Sequence, residues 1–143
     1  MIYFTEPENF TPKFEVAGCF VEHDGKILLL HRHPEKPQGG TWCVSAGKLD
    51  AGETAVAAII RETKEETGFE IDSARLVDVK KTYVIYPTYQ FVYHVFKTLL
   101  DERPVVALKT DEHIEHQWLT PEAALRLDLI PDEDVCIKLA YGL

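Results

Sequence analysis

The sequence predicts an α/β (α+β) fold, a mixed β-sheet with helices packed on it, and three observations support this. β-Rich runs lie at 14–21, 27–30, 75–86 and 89–99, a strongly periodic helical segment separates the first pair from the second, and two helix starts follow the last run. Residues 1–143 show no internal repeat, low-complexity tract or linker, so one domain is expected.

Phe14 to Val21 mixes aromatic and β-branched residues, and Ile27 to Leu30 is a short apolar run. His23, Asp24 and Gly25 between them form a turn signal, which predicts a hairpin. The stretch His33 to Gly40 carries two prolines and two glycines and can hold neither a helix nor a central strand, so it is a surface loop. Trp42 to Val44 reads as a short strand, and residues 47–53, with two glycines and no periodicity, as a shaped loop.

From Thr54 to Thr67, the positions Val56, Ile59, Ile60, Thr63 and Thr67 follow the i, i+3, i+4, i+7, i+11 spacing of one helical face. Gly68 stands where a left-handed C-terminal cap belongs. Arg75 to Tyr86 and Tyr89 to Leu99 form a second hairpin about Pro87. Glu115 to Leu119 is a short strand, with His113 and His116 as exposed polar residues beside it; two histidines alone are weak evidence for zinc. Thr120-Pro121-Glu122 starts a helix with a Thr cap and Pro at its first position. A last helix runs from near Pro131 to near Tyr141, with Asp132 as a candidate N-cap.

Composition narrows the partners. With 24 acidic against 15 basic side chains the net charge is −9, which disfavours a nucleic-acid duplex or an anionic membrane surface. No stretch approaches the roughly 20 apolar residues of a membrane span. Cys19, Cys43 and Cys136 show no paired spacing, and no signal peptide is visible near Met1, so a cytoplasmic location is expected. Residues 70–100, with four bases against three acids, are the one segment that is not acidic, and Lys80 or Lys81 could approach an anionic ligand from there.

On the first helix, at about 100° per residue, Glu62, Glu65 and Glu66 share a sector away from the apolar stripe. Glu62 and Glu66 are i, i+4 neighbours of like charge, a repulsion of roughly 0.2–0.5 kcal/mol. The helix dipole adds about 0.3–1 kcal/mol against an anion near the C-terminus. Two readings stand: a solvated acidic face balanced by Arg61 and Lys64, or oxygen ligands for a hard cation, Mg²⁺ or Mn²⁺. Glu53, at the far end of the same helix behind a glycine-bearing loop, favours the second.

Gly47, five residues, Glu53, seven residues, then Arg61-Glu62-Thr63-Lys64-Glu65-Glu66-Thr67-Gly68-Phe69 resembles the Nudix box, G-x5-E-x7-R-E-U-x-E-E-x-G-U with U apolar. Every charged and glycine position matches over residues 47–69. Thr63 replaces an aliphatic residue, and Ser45-Ala46 stands where many relatives have Pro-Gly. Outside the box the chain is similar to small MutT-like members through its leading hairpin, the Trp before the box, the aromatic hairpin after it and a Trp-Leu-Thr-Pro-Glu segment.

The resemblance implies an α/β/α sandwich whose mixed central sheet is flanked by helices. It also implies divalent-metal-dependent hydrolysis of a nucleoside diphosphate linked to another group, in first place a nucleoside triphosphate to monophosphate plus pyrophosphate. A dinucleoside polyphosphate, nucleotide sugar or ADP-ribose is the alternative substrate, and a non-catalytic nucleotide-sensing module the second alternative. The partner is then a small nucleotide, and the chain a monomer or homodimer.

By the same resemblance Glu62, Glu65, Glu66 and the Gly47 carbonyl are metal ligands. Glu53 is a ligand or water-orienting base, and Arg61 orients a neighbouring glutamate. Glu112 is an additional metal-binding carboxylate or, equally, a solvated loop acid. From the residues themselves, Arg32 is a candidate phosphate contact or, equally, an ordinary exposed strand end, Lys48 is a second candidate contact, and Tyr86 is a candidate stacking ring beside Tyr83 and Tyr89 or one of a row of packing aromatics; Asp132 stands where MutT-like sequences place a polar residue that reads a base edge.

Overall fold

The computed structural model describes all residues, 1–143. Its sheet has eight strands: β1 (Ile2–Tyr3), β2 (Phe14–His23), β3 (Lys26–Arg32), β4 (Trp42–Cys43), β5 (Ser45–Lys48), β6 (Leu76–Ile85), β7 (Gln90–Leu99) and β8 (His113–Leu119). The helices are α1 (Ala55–Thr67), α2 (Pro121–Ala124) and α3 (Glu133–Tyr141), with a single 3₁₀ turn at Ser73–Arg75. The main strand order is β1-β6-β7-β2-β3-β4, with β5 paired to β2 and β8 to β3. The β2–β7 pair is parallel and the named neighbours are otherwise antiparallel, so the sheet is mixed.

Alternation along the central strands gives the sheet two apolar faces. Ala17, Cys19 and Val21 of β2, with Leu28 and Leu30 of β3, pack with Ala58 and Ile59 of α1. Phe20 of β2, with Ile27 and Leu29 of β3, packs on the other face with Ala124 of α2 and Cys136, Ile137 and Ala140 of α3. Helices therefore cover both faces, the expected α/β/α arrangement. No helix is long and apolar enough to cross a membrane.

The capping signals act as expected. The Thr54 hydroxyl accepts from the Ala57 N–H, and Gly68, at φ 87°, donates its N–H to the Lys64 carbonyl. Thr120 caps α2 with Pro121 at the first position.

Several expectations need correction. The first hairpin forms, but β2 and β3 pair only at Glu22–Ile27 and His23–Lys26. Beyond the turn they splay, because β2 is taken up by β5 and β7, and β3 by β8. Residues 45–48, which include the start of the expected 47–53 loop, are strand β5, since hydrogen bonding to β2 outweighs the glycine content. Val56 is 39 % exposed, so the buried face of α1 turns instead through Ala58, Ile59, Thr63, Glu66 and Thr67. Strand β8 starts at His113, which is buried rather than exposed. Asp132 precedes α3, but its side chain makes no capping hydrogen bond.

Candidate active site

The site is built where β5 crosses the last turns of α1. A Cβ on Gly47 would collide with the Glu62 carboxyl group, so glycine is what lets this strand lie against the carboxylate row. Next to it, the Ala46 N–H donates to Glu66 Oε1 at 3.2 Å. Glu66 is only 2 % exposed, which rules out for this glutamate the solvated-face alternative to a ligand role.

The two departures from the box pattern meet here. The hydroxyls of Ser45 and Thr63 are both buried and share a hydrogen bond of 2.8 Å. Thr63→Val is therefore expected to destabilise by about 1–3 kcal/mol, because it leaves the Ser45 hydroxyl buried and unpaired. Adding Ser45→Ala should recover most of that loss. Additive effects in a denaturant-unfolding double-mutant cycle would show that the two hydroxyls are energetically independent.

Arg61 is the hub of the box. Its Nε and Nη2 donate to the two carboxylate oxygens of Glu53, each at 2.9 Å, and Nη1 donates to Glu62 at 2.8 Å. Further contacts reach the Lys48 carbonyl at 3.1 Å and Glu65 at 3.4 Å. The guanidinium and the Asp50 backbone N–H pull the Glu53 carboxyl down to about 2. Burial pushes Glu62 up, against the lowering effect of Arg61 and with help from the charges of Glu65 and Glu112. Burial raises Glu66 further, reinforced by Glu62 and Glu112.

Beside this row lies an aromatic cavity of about 270 Å³. Of the expected site residues it gathers Arg32, Gly47, Lys48, Glu66, Tyr86 and Asp132. Tyr86 stands edge-to-face against Tyr89 and Phe91, with ring centroids 5.3 Å away in each case. Lys48 Nζ lies 4.2 Å from the Phe14 ring centroid, and Arg32 Nε donates to the Pro37 carbonyl at 2.9 Å. Asp132 Oδ2 sits 3.4 Å from the Met1 amine, close enough for an ion pair but misaligned for a hydrogen bond.

Glu53 borders a separate polar cleft together with Lys81, while Lys80 lines neither hollow. Glu65 is half exposed. Glu112 pairs loosely with Lys109 at 3.8 Å.

The cavity also holds His113, expected to be exposed, and Glu133, which the sequence did not single out. His113 is buried, its Nε2 lies 3.6 Å from Cys43 Sγ and its Nδ1 has no partner; burial and Arg32 lower it to about 4, so the imidazole is neutral. Glu133 is also buried, with Oε1 unpartnered. The spacing 133, 136, 137, 140 is that of the buried α3 face and could have found it.

The donor set consists of hard oxygens, which suits Mg²⁺ or Mn²⁺. No three carboxylates converge as a closed cage. A cation that keeps several waters and is held by one or two carboxylates plus substrate phosphates needs no such cage, and the crowding of Glu62 and Glu66 with few positive partners fits it.

A hydrolase of phosphoanhydrides is the class that this fold and carboxylate row define. The NUDIX domain profile matches residues 12–139. The chain is 31% identical to the CTP pyrophosphohydrolase of Escherichia coli over 82% of this chain and 83% of that protein. It is 30% identical to a MutT-like protein of Streptomyces ambofaciens over 85% and 75% of the respective chains. Its fold matches the crystal structure of a MutT protein from Methanosarcina mazei with a TM-score of 0.77 at 22% identity, over 89% of this chain and 91% of that one. The chain belongs to the Nudix family, as a MutT-like pyrophosphohydrolase acting on nucleoside diphosphate-linked substrates.

Proposed function

We propose that the chain hydrolyses a nucleoside triphosphate to the monophosphate and pyrophosphate, with Mg²⁺ or Mn²⁺ at the box carboxylates. The observation that carries this reading is the shared boundary of the two halves of the site: Gly47, Lys48 and Glu66 line the same cavity as Tyr86 and Asp132. A base seated among the aromatic rings places its phosphates towards β5 and the carboxylate row. The E. coli relative's description as a CTP pyrophosphohydrolase supports a triphosphate.

The Gly47 carbonyl and Glu53, Glu62, Glu65, Glu66 and Glu112 form the candidate ligand set. A divalent cation bound there supplies charge that polarises the anhydride and makes a water more acidic. Arg61 fixes Glu53 and Glu62 in orientation. Glu53, already pulled down to about 2, is better suited to ligating or orienting than to accepting a proton. Arg32 and Lys48 contribute positive charge for phosphate oxygens, Tyr86 an aromatic face for the base, and Asp132 an acceptor for a base amine.

Product analysis by mass tests the reading. Pyrophosphate and a nucleoside monophosphate are expected. Two nucleotides from a dinucleoside polyphosphate, or a nucleotide and a sugar phosphate from a nucleotide sugar or ADP-ribose, with triphosphates untouched, would replace the proposed substrate. Nucleotide binding without turnover across the panel would identify a sensing module.

A further inference from the structure

One buried side chain in the cavity wall has no task in the hydrolysis proposed above. His113 is 3 % exposed and lines the cavity, yet its Nδ1 has no hydrogen-bond partner. Buried polar atoms are almost always paired, so an orphan in the wall of a hollow points to a partner that arrives from outside. The other contacts of the ring fix what that partner must be. Cys43 Sγ donates to the Leu30 carbonyl at 3.6 Å and also lies 3.6 Å from His113 Nε2. The single thiol hydrogen is committed to Leu30, so the second contact runs from the Nε2–H to Sγ. An uncharged imidazole with its hydrogen on Nε2 keeps a bare lone pair on Nδ1. Arg32, the cross-strand neighbour of His113, gives its Nε to the Pro37 carbonyl and not to the ring. Nδ1 therefore lacks a donor, which a phosphate oxygen cannot supply and a hydroxyl can.

The position of the ring along the cavity selects among hydroxyls. Cys43, in contact with His113, feels the charges of both Glu66 in the carboxylate row and Glu133 at the start of α3. The Glu133 charge also reaches the Tyr86 phenol, one of the rings proposed to seat the base. The Cys43–His113 pair thus lies between the end of the cavity that takes phosphates and the end that takes the base. In a nucleotide, the group between base and phosphates is the sugar.

We propose that His113 Nδ1 accepts a hydrogen bond from a hydroxyl of the nucleotide's sugar, which makes His113 a specificity-determining residue for the sugar. This rests on the reading that a nucleotide occupies the cavity. A contact to the 2′-hydroxyl favours ribonucleotides over deoxyribonucleotides, whereas a contact to the 3′-hydroxyl admits both and rejects a sugar that lacks it. Without the hydroxyl, Nδ1 stays buried and unpaired beneath the ligand. A site built to pair with a substrate hydroxyl rejects the analogue without it for that reason.

Equilibrium binding of nucleoside monophosphates tests this without turnover. The tightest binder among AMP, CMP, GMP and UMP, with Mg²⁺ present, is compared with its 2′-deoxy and 3′-deoxy analogues. At least one analogue is expected to bind about tenfold more weakly, and which one it is names the hydroxyl. His113→Phe should weaken the hydroxyl-bearing nucleotide to the level of that analogue and leave the analogue itself unchanged. A ring that merely fills the wall would weaken both alike. Nitrogen NMR of the native protein without ligand should find the ring hydrogen of His113 on Nε2. A hydrogen on Nδ1, equal affinities of the native protein for all three nucleotides, or equal losses for both ligands in His113→Phe would each overturn the proposal, and the first two need no variant to fold. Absence of binding by any monophosphate sinks the reading that a nucleotide occupies the cavity and this proposal with it, whereas binding without sugar discrimination sinks the proposal alone.

Discussion

Glu66→Gln is expected to lower kcat by roughly 10²–10³-fold, the range seen when one preorganised electrostatic partner is removed from a reaction centre, and at the same time to raise thermal stability in the absence of divalent metal. The two effects share one cause. Glu66 is 2 % exposed and its main interaction is a 3.2 Å hydrogen bond from the Ala46 N–H, which a Gln oxygen can also accept. Burial and the charges of Glu62 and Glu112 raise its pKa well above the ordinary carboxylate range. A carboxyl raised on folding stabilises the native state most below its unfolded pKa, and that contribution is lost as pH rises towards the folded value. At neutral pH holding this carboxyl inside the fold therefore works against folding unless a cation compensates it. Millimolar Mg²⁺ should raise the Tm of the native sequence and move the variant much less, since only a ligand bound to the folded state stabilises it. Thermal melts with and without Mg²⁺, beside saturating-metal kinetics, check both halves. Wild-type turnover in the variant would remove Glu66 from the chemistry.

The burial that gives Glu66 this double character was not legible in the sequence. Helical periodicity located α1 and its caps within a residue, because Thr54, Gly68 and the spacing of Ile59, Thr63 and Thr67 are local signals. What covers a helix face is a non-local matter. Residues 45–48 carried no strand signal strong enough to outweigh Gly47, and without β5 in place nothing set Glu66 apart from Glu62 and Glu65 as the buried member of the row. The same limit applies to Ser45 and Thr63, which read as two unrelated departures from a pattern until the sheet brought their hydroxyls together. Glu133 was missed for a different reason. An acid in the first turn of a helix is what the dipole favours, so a local explanation was already complete. The competing signal, its place on the stripe with Cys136, Ile137 and Ala140, was available but weaker. Arg61 lay at the other extreme: its charge, its spacing from Glu53 and its adjacency to Glu62 were all readable, and the structure places it in contact with both.

Arg61→Ala is the variant that should disturb the most contacts at once. It removes the donors that hold both oxygens of Glu53, one of Glu62 and the Lys48 carbonyl, and leaves Asp50, Glu53, Glu62 and Glu65 facing one another without the cation between them. A group that orients metal ligands typically contributes 10–100-fold in affinity or activity, so the Mg²⁺ concentration for half-maximal rate should rise by about that factor. A purely structural role for Arg61 would lower the Tm and leave the metal requirement of the surviving folded enzyme unchanged. Arg61→Lys sharpens the distinction. A single ammonium restores the charge but cannot span two Glu53 oxygens and Glu62 together, because it lacks the planar fork of guanidinium. Partial rescue of stability with little rescue of metal affinity is therefore expected. The acid limb of the stability curve gives a further check. Glu53 is lowered from 4.5 to about 2 by Arg61 and Asp50, so its stabilising contribution is present above 4.5 and is lost as pH falls towards 2. Without the guanidinium the Glu53 carboxyl moves back up, the contribution shrinks, and acid unfolding should begin at higher pH in Arg61→Ala. Superimposable acid-unfolding curves and an unchanged metal requirement would show that the Arg61 contacts orient nothing the reaction uses.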